Sequence, residues 1–283
     1  AATKVEVALY DTCSTQHRTT YAMQREPDGC FVLEILLDLT GKYYTYLISD
    51  SSDEKRYEIT DPWAKASGPN SRRGLILDPR KLDPEGFRSL PVLPPVDFGR
   101  TVIYELSVRD FTSHPTSGVA HRGLYLGLTE TGTLCDDMST GLDHLVELGI
   151  THVHLMPIQD FITTDELTRQ PYNWGYDPVL YDVPEGSFTS DPGNGNRIFE
   201  LKSAIHALHK KGIRVVLDVV YNHTYESAHS HYQRMAPNYF YRMTEDGFSN
   251  GSGCGNELAT ERLMVRKRIM DSLLYWLEEY RVD

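Results

Sequence analysis

Over the first third of the chain, apolar and aromatic residues come in short runs; over the rest they also recur at helical spacing. Lys4–Tyr10, Phe31–Leu37 and Lys42–Ile48 are β-branched or aromatic stretches, which predicts three strands. Turn chemistry separates them, at Pro27-Asp28-Gly29 and Thr40-Gly41-Lys42. Several short strands at this spacing predict a small β-sandwich. Next come Pro79, Pro84, Pro91, Pro94 and Pro95. A segment so rich in proline, Leu82–Phe98, supports neither a helix nor a central strand and reads as a linker.

After Arg100 the rhythm becomes strand, loop, helix. Thr101–Val108, His152–Ile158 and Arg214–Tyr221 read as strands, the third apolar enough to be buried on both faces. Thr140–Gly149 reads as a helix with Leu142, Leu145 and Val146 on one face. Asn196–Lys211 is a second helix, through Ile198, Leu201, Ile205 and Leu208, and Gly212 closes it. Thr260–Tyr280 is a third, with Leu263, Met270, Leu273, Leu274 and Leu277 as its apolar face. Arg281-Val282-Asp283 reads as the opening of a fourth strand. Alternating strands and helices imply a parallel sheet with helical crossovers, an α/β fold. Periodicity does not separate a barrel from an open sheet, but long inserts between units suit the C-terminal face of a barrel. The reading is two units: residues 1–98, a β-sandwich with its linker, and residues 99–283, the first part of a barrel that needs roughly 250 residues when complete.

Composition narrows the function. The 283 residues are 40% hydrophobic and 24% charged, as in ordinary globular proteins, and carry a net charge of −12. Nucleic acid is excluded as a partner, since its phosphates would be repelled. No run approaches the roughly 20 apolar residues that span a bilayer, and no basic-then-apolar leader is present. The reading is no membrane partner, and cytoplasm favoured over secretion. Cys13, Cys30, Cys135 and Cys254 match no zinc spacing and read as reduced thiols.

Two strings carry chemistry. Asp218-Val219-Val220-Tyr221-Asn222-His223 closes the third strand and places Asp218, Asn222 and His223 at its mouth. Taken alone, it is equally a strand followed by a polar turn. Tyr172-Asn173-Trp174-Gly175-Tyr176-Asp177-Pro178 lies in the loop after the second strand. Aromatic rings beside a carboxamide and a carboxylate suit a sugar, whose C–H face stacks while its hydroxyls need polar partners. A structural aromatic loop is the commoner fate of such a cluster.

Together the strings resemble the type I pullulanases, starch-debranching members of the α-amylase clan. DVVYNH is similar to the clan's first signature region and YNWGYDP to the loop of type I pullulanases. The likeness continues through VIYELSVRDF, LGITHVHLMPIQDF and the segment Gly251–Asp283, and back into GKYYTYLI and DPWAKASGPNSRRGLILD. The resemblance implies a glycan-binding-type sandwich followed by a (β/α)8 barrel cut short at the start of its fourth strand. It implies cleavage of α-1,6 branch linkages in pullulan, amylopectin, glycogen or limit dextrins. Tyr176 would stack under the sugar at subsite −1, His223 would hydrogen-bond that sugar's primary hydroxyl, and Asp218 would orient the site and pair with an arginine of the next strand. Asp177 and Asn222 would support the loop and the strand end. In some clan members the residue at the Asn222 position also binds a structural calcium; no metal or cofactor is assigned here. The resemblance places the nucleophile, the general acid and the third carboxylate beyond Asp283, so this chain is expected to be inert by itself. Asp283 is not the nucleophile.

Rival signals are weak. His152/His154, His206/His209 and His229/His231 lack the three or four converging ligands that zinc needs. GSGCGN at 251–256 follows no strand, so it is no dinucleotide fingerprint. Arg262, Arg266, Lys267 and Arg268 read as a solvated helix face. The alternatives are an isoamylase or glycogen branching enzyme, and a non-catalytic glucan-binding protein with a platform built from Trp63, Tyr43, Tyr44 and Tyr46.

Overall fold

A computed structural model describes residues 2–50 and 56–283. The first region contributes β1 (Ala2–Tyr10), β2 (Thr19–Ala22), β3 (Gln24–Arg25), β4 (Phe31–Val32), β5 (Tyr43–Asp50), β6 (Arg56–Ile59) and β7 (Gly74–Leu75). β1 and β5 pair antiparallel at the centre, with Val7 opposite Tyr46 and Leu9 opposite Tyr44. β2 flanks β1, while β6 and β7 both pair with β5. Among the described residues this is one five-stranded sheet plus a two-stranded β3–β4 ribbon, not the two facing sheets of the expected sandwich. The reason lies in Phe31–Leu37. A strand needs a neighbour for its backbone N–H and C=O groups, and β3 offers two residues. The run therefore leaves the ribbon after Val32, and Leu36 and Leu37 end up exposed.

The second region holds β8 (Ile103–Leu106), α1 (Val108–Thr112), the β9–β10 hairpin (Leu134–Cys135, Met138–Ser139), α2 (Gly141–Glu147), β11 (His152–Leu155), β12 (Gln159–Phe161) and β13 (Pro178–Pro184). It continues with α3 (Asn196–Lys210), β14 (Arg214–Leu217), α4 (His231–Met235), β15 (Met243–Thr244), β16 (Gly247–Phe248) and α5 (Leu263–Tyr280). β8, β11 and β14 form a parallel sheet in the order β14-β11-β8, with His152 level with both Arg214 and Ile103. Each strand is shorter than the sequence suggested, because the following residues turn at once into the long connections. Leu106, Val153, Leu155 and Val215 point toward the helices and share a core with Ile198, Leu201, Ile205 and Leu208 of α3. Along these strands alternate residues face opposite ways, so Ile103, Glu105, His154 and Val216 lie on the other face and remain partly or largely exposed. β14 is thus not buried on both faces, as its composition predicted. Arg281–Asp283 is not assigned to a strand, and Arg281 adopts a left-handed conformation (φ 57°). Its last residue still runs beside β14: Asp283 N donates to Val215 O at 2.9 Å, and Val215 N donates to the Asp283 carboxylate at 2.9 Å.

The proline-rich segment is not a loose tether. Phe87 is 1% exposed and belongs to the same core as Tyr10, Leu47 and the parallel strands β8, β11 and β14. Lys202 of α3, fully buried, donates to Pro79 O at 2.7 Å and to Asp83 at 2.5 Å, and also pairs with Glu279 of α5. Arg88 bridges the same two carboxylates at 2.7 and 2.6 Å. This network closes the segment over both helices.

α5 presents the face opposite to the one its leucines predicted. Val265, Arg268, Ser272, Trp276 and Tyr280, at steps of three and four, are buried, whereas Leu263, Met270, Leu274 and Leu277 are exposed. The inward stripe is led by aromatic bulk and contains a buried arginine. Arg268 is 1% exposed, not part of a solvated face: it pairs with Asp182 at 3.0 Å, donates to Pro62 O at 2.9 Å and to the Tyr232 hydroxyl at 3.0 Å. Its guanidinium also sits 5.1 Å from the Trp63 ring. The four cysteines are free, as expected. Among the described residues no helix is long and apolar enough to cross a membrane.

Removing one partner of a buried ion network strands the others, at a cost of about 3–5 kcal/mol. Lys202→Ala should lose stability of that order, with a falling urea midpoint at unchanged m-value. A shift of less than about 1 kcal/mol would mean that Asp83 and Glu279 are already satisfied by Arg88.

Candidate functional site

The C-terminal ends of β8, β11 and β14 open into the long connections, and the sequence-predicted residues meet there. Asp218 follows β14 directly and keeps the parity of Val216, so it projects on the open face. Tyr176, on the loop between β12 and β13, donates its hydroxyl to Asp218 Oδ2 at 2.6 Å. Burial first, then the hydrogen bond to Asp218 and the charges of Asp218 and Glu105, push the Tyr176 hydroxyl up to about 12. The phenol therefore stays protonated and donating at neutral pH. Its ring remains 43% exposed, free to be covered by a ligand.

His223 is buried. Its Nε2 lies 2.9 Å from the Tyr176 carbonyl, and Nδ1 lies 3.1 Å from the Asn222 side chain. A carbonyl only accepts, so Nε2–H donates to Tyr176 O, and Asn222 Oδ1 is the atom that faces Nδ1. Asn222 is exposed, and its own carbonyl accepts from Leu258 N at 3.1 Å, anchoring the strand end to the last connection. Asp177 faces back into its loop: it accepts from Thr163 N at 3.1 Å, from Thr163 Oγ1 at 2.6 Å and from Asn173 Nδ2 at 2.5 Å. The five predicted residues thus fall into two groups. Tyr176 and Asp218 face the open cleft, while Asp177, Asn222 and His223 hold them there.

The loop has one shape for a local reason. Gly175 sits at φ 96° with no exposed surface to spare, and a Cβ there would meet Pro157 O at 2.9 Å and the Phe161 ring at 3.0 Å. Asn173 accepts from Gly175 N at 3.0 Å, which sets the turn between the two aromatic positions.

Several contributors escaped the sequence. Asp110, four residues past β8, accepts from the Tyr172 hydroxyl at 2.5 Å, and Arg109 lies 5.1 Å from the Tyr172 ring. Gln159, fully buried, donates to Tyr181 O at 3.0 Å and accepts from Val220 N at 2.8 Å, joining the two long connections. Beneath the loop, Asp160, Glu166 and Glu185 are buried together around the guanidinium of Arg197. Arg197 donates to Asp160 and Glu166 at 3.1 Å and to Glu166 again at 2.7 Å. Glu185 accepts from Phe161 N at 3.1 Å and Ser187 N at 2.7 Å. One guanidinium cannot offset three buried charges, so burial, followed by the charge of Glu166, lifts Asp160 and raises Glu185 to about 8. These carboxylates could ligate a cation by spacing alone, but their oxygens already have protein donors. Charged residues scattered along one chain give no sign in advance that they converge.

Of the glucan platform considered from sequence, Tyr43 is buried, whereas Tyr44, Tyr46 and the half-buried Trp63 line one 450 Å³ groove with Leu33, Ile35 and Leu39. Trp63 also packs edge-on against Tyr232 and Phe240 beside Arg268.

An aromatic ring and a carboxylate thus meet at the C-terminal mouth of a parallel sheet, the end at which α/β proteins bind their ligands. Comparison with known proteins agrees. Residues 127–250 match the α-amylase catalytic domain. The pullulanase of Bacillus subtilis (strain 168) is 42% identical over 271 residues, covering 93% of this chain and 36% of that protein. A Paenibacillus barengoltzii pullulanase, solved in complex with maltohexaose and alpha-cyclodextrin, superposes with a TM-score of 0.95 at 43% identity over 100% of this chain and 44% of its own. The pullulanase of Bacillus acidopullulyticus gives 0.95 at 40% identity, over 100% and 35%. The chain therefore belongs to the α-amylase family, and within it to the pullulanases. It spans about a third of the length of the curated relatives it matches and less than half of these solved chains.

Glu185 generates a pH prediction. Its folded value, about 8, lies above its ordinary 4.5, so between these limits the folded protein holds a proton that the unfolded chain releases. Stability is then greatest below pH 4.5 for this group, falls as pH rises, and the contribution is lost above about 8. Glu185→Gln should flatten the fall in urea midpoint between pH 5.5 and 8.5. An unchanged slope would show that the retained proton is elsewhere.

Proposed function

We propose that this chain supplies one side of subsite −1 in a retaining α-1,6-glucan hydrolase that debranches pullulan, amylopectin, glycogen or limit dextrins. On this reading residues 99–283 are the first half of a (β/α)8 barrel and residues 1–98 are the domain before it. The observation that carries it is the Tyr176–Asp218 hydrogen bond, which joins the two resemblance-bearing strings across the mouth of β14. Tyr176 gives the sugar a rigid ring to stack on. Asp218 keeps one carboxylate oxygen for a sugar hydroxyl while the other holds the phenol. His223 fixes the Tyr176 carbonyl and would also hydrogen-bond the sugar's primary hydroxyl. Asp177 and Asn222 hold the loop and the strand end. The α-glucan ligand class agrees with the maltohexaose and alpha-cyclodextrin of the Paenibacillus relative.

Retaining chemistry needs two carboxyl groups about 5–5.5 Å apart across the scissile bond. Around Tyr176 the carboxylates are Asp218, tied to the phenol, and Glu105, 3.3 Å from His154. On this reading neither is the nucleophile or the general acid; those two belong to strands that follow the ones described here, and the 283-residue chain by itself is inert.

Pullulan hydrolysis, followed as reducing ends and maltotriose, tests this. The chain alone should release none, and the chain extended through the further strands of a complete barrel should be active. In that active form Asp218→Ala should lower kcat/KM by on the order of a hundredfold or more. Hydrolysis by the short chain would contradict the placement of the carboxylates. Inactivity of both forms would favour a glucan-binding protein.

A further inference from the structure

The turn between β6 and β7 holds two consecutive non-glycine residues in the left-handed region, Asn70 at φ 57° and Ser71 at φ 55°. Asparagine tolerates that conformation better than most residues, but a serine directly after it does not adopt it freely. Such backbone persists only where its surroundings over-determine it. Within the first region, Gly68 N donates to Arg73 O at 2.9 Å and Thr60 Oγ1 donates to Ser71 O at 2.8 Å, which closes the turn. The side chains of the two residues reach across into the second region.

Asn70 makes three contacts there. Its backbone N–H donates to Glu166 Oε2 at 2.8 Å, its Oδ1 accepts from Glu166 N at 2.8 Å, and its Nδ2 donates to Asp165 Oδ2 at 3.0 Å. The Ser71 hydroxyl donates to Asp160. Asp160 and Glu166 bracket the segment from which the Tyr176 loop departs. Asp165 carries the grip onward: its Oδ1 accepts from Leu167 N at 3.0 Å and Thr168 N at 2.8 Å, and its own N–H donates to Gln170 O at 2.8 Å. Thr164 Oγ1 donates to Pro171 O at 2.9 Å, and Thr163 holds both Asp177 and Asn173. A run of hydrogen bonds and backbone thus leads from a turn of the first region to Tyr176. The loop needs such an anchor, because Tyr172, Trp174 and Tyr176 are all exposed and give it little apolar burial of its own.

We propose that Asn70 is a positioning residue: through Asp165 and Glu166 it fixes the loop that presents Tyr176, so that sugar affinity in the cleft depends on the docked turn of the first region. The inference rests on the reading of Tyr176 as part of a glucan site.

The clasp can be broken and remade with the same two side-chain types. In Asp165→Asn, a donor meets a donor whichever way the new amide turns, since Leu167 N and Thr168 N lie on one side and Asn70 Nδ2 on the other. Asn70→Asp sets two carboxylates against each other. Combined, the two substitutions restore every donor to an acceptor: the new carboxylate takes Glu166 N and the new amide, and Leu167 and Thr168 keep a carbonyl. Asn70→Gly accepts the left-handed backbone without strain but has no side chain to clasp, which separates the contact from the conformation.

The 283-residue chain and these variants, each checked for folding by near-ultraviolet circular dichroism, are titrated with maltotriose by calorimetry. Amide exchange at Thr163 and Gly175 is followed alongside. Asp165→Asn, Asn70→Asp and Asn70→Gly should each weaken maltotriose about tenfold and speed exchange at both amides, with α3 protected as before. The double substitution should recover parent affinity and protection, which general destabilisation would not do. Parent-like affinity in all the single variants would overturn the proposal and leave the glucan reading standing. So would a loss that the double substitution does not recover. If the folded parent chain binds no maltotriose, the glucan reading fails and the inference falls with it.

Discussion

The arrangement depends on one contact between two distant pieces of chain. Tyr176 belongs to a loop that leaves β12 and returns as β13, and Asp218 belongs to the end of β14. The hydrogen bond between them, with the His223 ring bracing the Tyr176 carbonyl, makes the loop part of the strand mouth. Everything around it restricts that loop: Asp177 and Asn173 fold it on itself, Gly175 allows it to press against Phe161, and Asp110 holds its outer end. On the proposed reading this loop is a stacking surface for a sugar, and such a surface must be in place before the ligand arrives, or ordering it consumes the binding energy. The polar residues of the loop do that ordering, which is why so few of them face the cleft.

The same economy governs the scaffold. The first region and the parallel strands share one core, in which Tyr10, Leu47, Leu75 and Phe87 pack with Val153, Leu155 and α3. Where charges are buried between them they are paired: Lys202 with Asp83 and Glu279, and Arg268 with Asp182. Such pairs add little net stability over an apolar core, but they are costly to mismatch and so fix how the elements meet. Arg197 is the exception in degree, with three carboxylates around one cation, and there the excess is relieved by a retained proton rather than by another partner.

Much of this was legible in the sequence, for identifiable reasons. The β8, β11 and β14 strands and the α3 helix announce themselves by clean periodicity, and α3 buries the four residues its spacing named. The five candidate residues were singled out through the two strings, and the structure brings them together. What misled was apolar content without context. Phe31–Leu37 looks like a strand but has only a two-residue partner, so it does not extend. In α5 the leucines outvoted the inward stripe, because hydrophobic counting rewards Leu274 and Leu277 and penalises Arg268 and Glu279, whose partners lie many residues away. Asp110, Arg109 and Gln159 were invisible for a related reason: their roles exist only once separated segments are brought together.

The most direct test of the central claim is a crystal structure of this chain soaked with maltotriose. The account predicts a pyranose lying on the Tyr176 ring, with a hydroxyl on the free oxygen of Asp218 and the loop from Tyr172 to Asp177 unmoved. Maltotriose bound instead in the Tyr44–Tyr46 groove, with the Tyr176 ring bare, would contradict it and assign the carbohydrate contact to the first region.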